Sequence, residues 1–200
     1  MRIIFATHNH GKVEEIRKIL KDLDVEIISA DEAGISEDVI EDGKTFEENA
    51  LKKARFINKK TKEWTMADDS GICVKALEGA PGIYSARWAG EGAPGEEWIR
   101  RLLSEMKNVP EGERDAWFET SAVLVAPDRK YWNFVGKVEG KITMEPRGVA
   151  HPRLPYDAIF IPKGYDKTFS EMSGEEKNAL SHRGQAFRKL KEFLIKEILK

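Results

Sequence analysis

The sequence predicts an α/β fold in which helices flank a long mixed central β-sheet and two lobes enclose a cleft. The first observation is the order strand, loop, helix, strand over residues 2–29, which is typical of α/β proteins. The second is a pair of β-rich runs, 117–125 and 131–138, joined by a turn at Pro127-Asp128, which predicts an antiparallel hairpin. A length of 200 residues fits a single domain of two lobes over residues 1–200.

The spacing of apolar residues separates strands from helices in the first part of the chain. Ile3-Ile4-Phe5 is a continuous apolar run typical of a buried strand, whereas Val13, Ile16 and Leu20 recur at helical spacing. Thr45, with Glu48 three residues later, predicts a capping box at a helix start. The predicted elements are a strand over 2–6, a helix over 12–22, a strand over 25–29, an irregular acidic segment over 31–44, a helix from Thr45 to Lys60, and strands over 64–67 and 72–77.

The remaining elements follow from the same spacing and from the glycines and prolines. Trp64, Trp98 and Trp117 lie within apolar runs, so we expect all three in the core. An amphipathic helix over residues 184–199 closes the chain. The other predicted elements are a loop rich in Gly and Pro over 79–95, a helix over 96–106, the two hairpin strands and a strand over 158–161.

Composition and charge exclude several classes of protein. Lysine and arginine number 33 and aspartate and glutamate 35, for a net charge of −2, which gives no bulk attraction for nucleic acid. No apolar run approaches the ~20 residues of a membrane span. The first strand runs directly into polar Thr7-His8-Asn9 without the apolar region of a signal peptide. Cys73 is the sole cysteine, so no internal disulfide or cysteine-rich zinc site can form, and we expect a cytoplasmic protein.

Three segments carry residue types suited to chemistry, and the first is a loop between a strand and a helix. Its residues are Thr7, His8, Asn9, His10, Gly11 and Lys12. Backbone N–H groups at a helix start, together with one lysine, predict a site for phosphate. The loop has a single glycine and lacks the Gly-Lys-Ser/Thr ending of a Walker A loop. The alternative interpretation is an ordinary capped turn.

The second segment is Asp68-Asp69-Ser70-Gly71, at the end of a predicted strand. Adjacent carboxylates repel each other unless cations or hydrogen-bond donors compensate. Mg²⁺ prefers a few carboxylates together with phosphate oxygens, and Glu41 with Asp42 could complete such a set. The alternative interpretation is a turn in which an aspartate caps the backbone.

The third segment comprises Lys177 and Ser181-His182-Arg183, before the last helix. These side chains offer donors to a phosphate or a carbonyl, although a capped helix with solvated charges is the alternative. The three segments together combine donors for phosphate with carboxylates for a divalent cation. They favour metal-assisted hydrolysis of a nucleotide polyphosphate over acyl transfer.

Five motifs in chain order resemble the inosine triphosphate pyrophosphatase family, the enzymes that remove dITP, ITP and XTP from the nucleotide pool. They extend from the first strand to the last helix, and their combination is far more specific than any one of them. The motifs are Thr7-x-Asn9-x-x-Lys12, Thr45-Phe46-x-Glu48-Asn49-Ala50, Ala67-Asp68-Asp69-Ser70-Gly71, Gly79-Ala80-Pro81-Gly82-Ile83-Tyr84-Ser85-Ala86-Arg87 and Glu176-Lys177-Asn178-Ala179-Leu180-Ser181-His182-Arg183-Gly184.

The resemblance implies a homodimeric, Mg²⁺-dependent hydrolase that cuts between the α and β phosphates. It implies that Asp69 is the catalytic base, and that Glu41 and Asp69 hold the metal, with Asp68 as a further candidate ligand. The substrate-binding residues that it implies are Thr7, His8, Asn9, His10, Gly11, Lys12 and Lys53 for the phosphates, with Arg87 a further candidate, Ser70, and Tyr156, Asp157, Lys177, His182 and Arg183 on the nucleoside side.

One stretch departs from the family pattern. The family has a Gly-Gly-Phe-Gly-Tyr-Asp-Pro stretch whose phenylalanine stacks on the base, whereas this chain has His151-Pro152-Arg153-Leu154-Pro155-Tyr156-Asp157-Ala158. Tyr156 and Asp157 match, but Leu154 and Pro155 do not. Stacking on an aromatic ring contributes ~1–3 kcal/mol per base. A related pyrophosphatase with altered base choice is therefore one alternative hypothesis. A non-catalytic nucleotide-binding protein is a second alternative, although the intact Asp68-Asp69 pair and Lys12 argue against it.

Overall fold

The computed structural model describes residues 1–149 and 154–199, and these form one mixed six-stranded sheet with helices against it. The strand order is β2-β1-β3-β4-β5-β6. Strands β1 and β2 are parallel, as are β1 and β3, whereas β5 and β6 are antiparallel. The strands are β1 (Arg2–Phe5), β2 (Glu26–Ser29), β3 (Trp64–Val74), β4 (Asp115–Val125), β5 (Tyr131–Ile142) and β6 (Phe160–Pro162). The predicted α/β class is confirmed.

The described residues contain five α-helices. These are α1 (His10–Leu20), α2 (Phe46–Thr61), α3 (Gly95–Glu105), α4 (Gly174–Leu180) and α5 (His182–Phe193). A π-helical segment, Leu194–Ile198, continues α5. None of the helices in the described part of the chain combines the length and apolar character needed to cross a membrane.

The chain divides into two compact units. The first unit comprises residues 1–69, 120–136 and 183–200, and the second comprises 70–119 and 137–182. Strands β3, β4 and β5 each contribute residues to both units. The cleft between two lobes and the single domain over 1–200 stay predictions.

The core of the first unit joins the parallel strands to helices α1 and α5. Ile3 and Phe5 of β1 pack with Ile16 of α1 and with Phe187 and Leu190 of α5. The rings of Phe5 and Phe187 meet edge to face at 5.7 Å, the arrangement that the quadrupoles of aromatic rings favour. The apolar face of each helix is therefore buried against the sheet, as the spacing predicts.

The core of the second unit is rich in aromatic residues. Phe118 of β4, Phe160 of β6 and Phe169 are buried together with Ile142 of β5. The ring of Phe118 lies 4.8 Å from that of Phe160 and 6.0 Å from that of Phe169. Phe118, Phe160 and Phe169 together form an aromatic cluster.

One prediction about β3 is wrong, because Asp68-Asp69-Ser70-Gly71 lies inside the strand rather than at its end. Strand β3 continues to Val74, and a short 3-10 helix, Lys75–Leu77, replaces the predicted continuation of a second strand. The strand stays extended through two acidic residues because cationic side chains compensate their charge. Lys12 and Arg183 both bond to Asp68.

Three smaller predictions also need correction. The strand expected over 158–161 begins at Phe160, because a 3-10 helix that starts at Pro155 extends to Ile159. Thr45 does cap α2, but the carboxylate of Glu48 accepts the backbone N–H of Lys44 rather than that of Thr45. Trp117 is half-buried under the Lys137 ammonium, which lies 4.7 Å from its ring centre, since its neighbours in β4 face the core.

Other predictions are confirmed. Strands β4 and β5 are adjacent in the sheet and joined by a turn in which Ala126 donates to Lys130. The segment 31–44 contains neither helix nor strand. Trp64 and Trp98 pack against the two cores as expected. The loop over 79–95 contains a 3-10 helix, Gly82–Arg87, that the sequence did not predict.

A buried arginine fixes the second unit. Arg114, which is 2% exposed, donates to the carbonyls of Met106, Val109, Ile142 and Thr143. The guanidinium therefore joins the segment after α3 to the end of β5. Each of these carbonyls would lose a charged donor if the side chain were truncated.

We expect Arg114→Met to lower the free energy of unfolding by about 2–4 kcal/mol, because four buried or partly buried carbonyls lose their charge-assisted bonds. Denaturant unfolding followed by circular dichroism measures the change. Arg100→Met is the matched control, since Arg100 is exposed and pairs only with Glu97 in the described structure. Equal stability of the two variants would contradict the structural role given to Arg114.

Candidate active site

The loop between β1 and α1 is built around the side chain of Asn9. Asn9 is the N-cap of α1, and its Oδ1 accepts the backbone N–H groups of Gly11 at 3.0 Å and Lys12 at 3.3 Å. The N–H of Asn9 donates to Thr7 Oγ1 at 3.1 Å. The loop is therefore a capped turn, and the phosphate site expected here stays a prediction. Three of the amides expected to face a phosphate already have partners within the loop.

Lys12 extends from this loop to the middle of β3. Its ammonium bonds to Asp68 Oδ1 at 3.0 Å, while Nε of Arg183 bonds to Asp68 Oδ2 at 3.1 Å. Arg183 also donates to Glu15 of α1 at 3.2 Å. The buried carboxylate of Asp68 thus links the first turn of α1 to the start of α5.

Asp68 is held in its ionised form. Burial alone would raise the pKa of its carboxyl group, but Lys12, Arg183 and Lys53 lower that pKa well below its usual range. Burial lowers the pKa of Lys12, against the attraction of Asp68. A carboxylate that is 2% exposed and bonded on both oxygens is poorly suited to accept a proton from water.

Asp69 lies in a different environment, although it follows Asp68 directly. Its Oδ2 accepts a hydrogen bond from the Asn49 side-chain amide at 3.0 Å, and Lys53 Nζ lies 3.9 Å from its Oδ1. The same ammonium bonds to Glu41 Oε1 at 3.1 Å. Asn49 and Lys53 are four residues apart on α2, so they share one face of that helix.

The pKa of Asp69 is raised, in contrast to that of Asp68. Burial is the main cause, the negative charge of Glu41 adds to it, and Lys53 and the Asn49 amide oppose it. Neighbouring carboxyl groups whose environments move their pKa values apart are typical of sites that divide acid–base roles. Asp69 is therefore the better candidate for a general base.

Asn49 also fixes the segment that carries Glu41. Its Oδ1 accepts the N–H of Gly43 at 2.8 Å while its Nδ2 donates to Asp69. A Cβ on Gly43 would lie 2.6 Å from Asn49 Oδ1, so only glycine allows this close approach. The fully buried Asn49 thereby sets the distance between the Glu41 segment and Asp69.

A cavity of about 220 Å³ lies beside these charged groups. Lys12 and Lys53 line it together with Glu41 and Asp68, and Thr7 and His8 contribute from the first loop. His8 Nδ1 lies 2.6 Å from Asp31 Oδ1, and this bond raises the pKa of the imidazole. The cavity thus has positive and negative groups on its walls.

The residues that the resemblance assigns to the nucleoside lie mostly in the second unit. Tyr156 is buried and its hydroxyl donates to the carbonyl of Ser85 at 3.0 Å. Lys177 pairs with Asp157. The imidazole of His182 stacks on Phe118. Arg183, by contrast, belongs to the first unit.

Other parts of the predicted site are placed as follows. Ser70 is the partly buried residue of β3 that follows Asp69, and His10 begins α1 on the surface. The departure from the family pattern falls partly outside the described residues, since 150–153 are not described. Leu154 is 40% exposed, and Pro155 and Tyr156 start the 3-10 helix before β6.

The donor set suits a small divalent cation. Lys53 Nζ lies 3.1 Å from Glu41 Oε1 and 3.9 Å from Asp69 Oδ1, so the two carboxylates already face one cation, the Lys53 ammonium. Within residues 1–149 and 154–199, no group of three or more His, Cys, Asp or Glu side chains is arranged to hold a metal. Two carboxylates completed by substrate phosphates are what Mg²⁺ commonly uses, so the residues present fit it.

The sequence analysis assigned no role to two anchoring residues. Glu15 holds Arg183, and Asn49 holds both Asp69 and Gly43. The signal for Asn49 was present, because it lies on the apolar face of α2 with Phe46 and Ala50, where a polar residue needs buried partners. Glu15 had no such signal, since a glutamate in a surface helix is ordinary.

Comparison with known proteins identifies the family. The sequence model described as the Ham1 family matches residues 3–193. The chain belongs to the Ham1 family. A dITP/XTP pyrophosphatase of Thermoanaerobacter pseudethanolicus is 43% identical over 198 residues, which cover 99% of this chain and 98% of that protein. The dITP/XTP pyrophosphatase of Bacillus subtilis is 42% identical and covers 96% of each chain.

Solved structures of the Ham1 family have the same fold. The Staphylococcus aureus Ham1 protein superposes with a TM-score of 0.90 at 38% identity, covering 98% of this chain and 100% of that one. A HAM1 protein from Coxiella burnetii gives a TM-score of 0.91 at 36% identity and covers 98% of each chain. The resemblance found in the five motifs is thereby confirmed.

We expect Asp68→Asn to lower the free energy of unfolding by about 3–5 kcal/mol at pH 7, because Lys12 and Arg183 lose their buried counter-charge. The lowered pKa of Asp68 means that its contribution is full above about pH 5 and declines as pH falls below about 4. The difference from the wild type should therefore shrink at pH 3. Asp128→Asn, at an exposed turn, is the matched control for denaturant unfolding. A difference that is independent of pH would contradict the account.

Proposed function

We propose that this chain is a Mg²⁺-dependent pyrophosphatase that hydrolyses dITP, ITP and XTP to the monophosphate and pyrophosphate. The observation that carries the proposal is the pairing of Asp69 and Glu41 around one cationic position, with Lys12 and Lys53 lining the adjacent cavity. Relatives that match nearly the whole chain carry the name dITP/XTP pyrophosphatase. Clearing non-standard purines from the nucleotide pool is a cytoplasmic task, and by analogy with the family the active form is a homodimer.

The two lysines provide positive charge for the phosphates. Lys12 and Lys53 both line the cavity of the first unit. Negative charge accumulates on pyrophosphate as it leaves, and fixed cations stabilise that charge in the transition state. The buried pairing with Asp68 fixes the position of the Lys12 ammonium, so little reorganisation is needed when phosphate binds.

Asp69 accepts the proton of the attacking water. The Asn49 amide fixes one of its oxygens at 3.0 Å, which orients the carboxylate, and its raised pKa increases its basicity relative to Asp68. Glu41 and Asp69 would hold Mg²⁺, which when bound lowers the pKa of water and neutralises phosphate charge. Attack at the α-phosphorus then breaks its bond to the bridging oxygen, and pyrophosphate leaves.

Hydrogen-bond donors select the base. Hypoxanthine and xanthine present an acceptor oxygen at position 6, whereas adenine presents a donor amine. A donor from Lys177, His182 or Arg183 would therefore be left unpaired against adenine, which costs binding energy. Since Asp68 and Glu15 take two of the guanidinium nitrogens of Arg183, the orientation of this side chain is already fixed.

We expect pyrophosphate release with Mg²⁺ to be fastest for ITP, dITP and XTP among a panel that includes ATP, GTP, CTP and UTP. Removal of the metal with a chelator should abolish release, and added Mg²⁺ should restore it. Turnover of ATP and GTP equal to that of ITP would overturn the proposed specificity. Preference for a modified pyrimidine would favour altered base choice, which the missing phenylalanine between residues 151 and 158 motivates.

We expect Asp69→Asn to reduce kcat for ITP by at least ~10²-fold, because the variant lacks the general base. Nucleotide binding, measured by calorimetry at equilibrium, should persist, which would separate loss of chemistry from loss of fold. Glu113→Gln, on an exposed 3-10 helix, is the control. A kcat near that of the wild type would remove the catalytic role of Asp69.

A further inference from the structure

The imidazole of His182 lies flat on the ring of a buried phenylalanine. The ring centres of His182 and Phe118 are 4.8 Å apart and the planes differ by 11°. His182 is the first residue of α5, and Phe118 is 7% exposed in β4. This face-to-face contact limits the rotation of the imidazole about its side-chain bonds.

The ring beneath His182 is itself fixed by the aromatic cluster. Phe160 meets Phe118 edge to face at 4.8 Å and 70°, and Phe169 lies 5.2 Å from Phe160. All three rings are at least nine-tenths buried. Since buried side chains in a packed core occupy single rotamers, the plane of Phe118 is set by its neighbours.

The same aromatic cluster contacts Lys177, another residue that the resemblance assigns to the nucleoside. The ammonium of Lys177 lies 5.8 Å from the ring centre of Phe169, and Asp157 pairs with that ammonium. A cation over a ring face is attracted to it. His182 and Lys177 thus each contact a ring of the same aromatic cluster, His182 that of Phe118 and Lys177 that of Phe169.

We propose that Phe118 is a positioning residue for base recognition, which acts by holding the His182 imidazole in the plane that the purine requires. The inference rests on the proposed function, since it takes His182 as a contact of the base. Ordering a mobile side chain on binding costs free energy. The Phe118 ring orders the imidazole already in the free protein. Substrate binding therefore does not have to order this side chain.

The direct test is Phe118→Leu, which keeps an apolar core residue and removes the flat ring. The KM for ITP should rise about three- to tenfold, which corresponds to the ordering cost, while kcat stays within twofold. Phe187→Leu is the matched control, because Phe187 is a fully buried ring of the other core. Both substitutions should lower the free energy of unfolding, because each removes a buried ring. Only Phe118→Leu should raise the KM.

A double-mutant cycle separates positioning from general loss of structure. If Phe118 acts through His182, Phe118→Leu should leave the KM unchanged in a His182→Ala background. An equal rise in both backgrounds would contradict the proposal. In NMR spectra, the His182 ring protons should lie upfield in the wild type and move downfield in Phe118→Leu, which verifies the contact independently of activity.

The failure of this inference can be distinguished from failure of the proposed function. A wild type without ITP or XTP hydrolysis would overturn the function itself. An active wild type whose Phe118→Leu variant loses the NMR shift but keeps the KM would overturn only the positioning role.

Discussion

A carboxylate buried in the middle of a β-strand requires compensating charge, and Asp68 receives it from Lys12 and Arg183. These partners lie 56 and 115 residues away in the sequence. The pairing therefore joins the beginning, middle and end of the chain at one point of β3. Because either cation would be strongly unfavourable without its counter-charge, this contact fixes both Lys12 and the start of α5.

The neighbouring carboxylate, Asp69, lies in a different environment. Two adjacent aspartates in water have similar pKa values, but here three cations stabilise the charge of Asp68 while burial and Glu41 destabilise that of Asp69. Asn49 fixes Asp69 and the Glu41 segment together. The pair thus divides into an anion with a structural role and a more basic carboxylate, as in sites that divide acid–base roles.

The spacing of apolar residues predicted the class of fold, and the five motifs indicated the family. Both are visible in the sequence because they depend only on the order of residues along the chain. They placed Asp68 and Asp69 at a strand end, since two acidic residues and a glycine usually end a strand. Only the tertiary structure supplies Lys12 and Arg183 as partners. A capped turn in the first loop was one of two alternatives, and the structure identifies Asn9 as its cap. The supporting residues Glu15 and Phe118 became visible only through their contacts.

We propose that Glu41 and Asp69, rather than Asp68, hold the cation that works with the substrate phosphates. The most direct measurement is a crystal structure with Mn²⁺ in place of Mg²⁺ and a non-hydrolysable inosine nucleotide, with the metal located by anomalous scattering. The account predicts a peak within coordinating distance of the Glu41 and Asp69 carboxylates, with Asp68 still bonded to Lys12 and Arg183. A metal bound to Asp68, or to neither Glu41 nor Asp69, would contradict it.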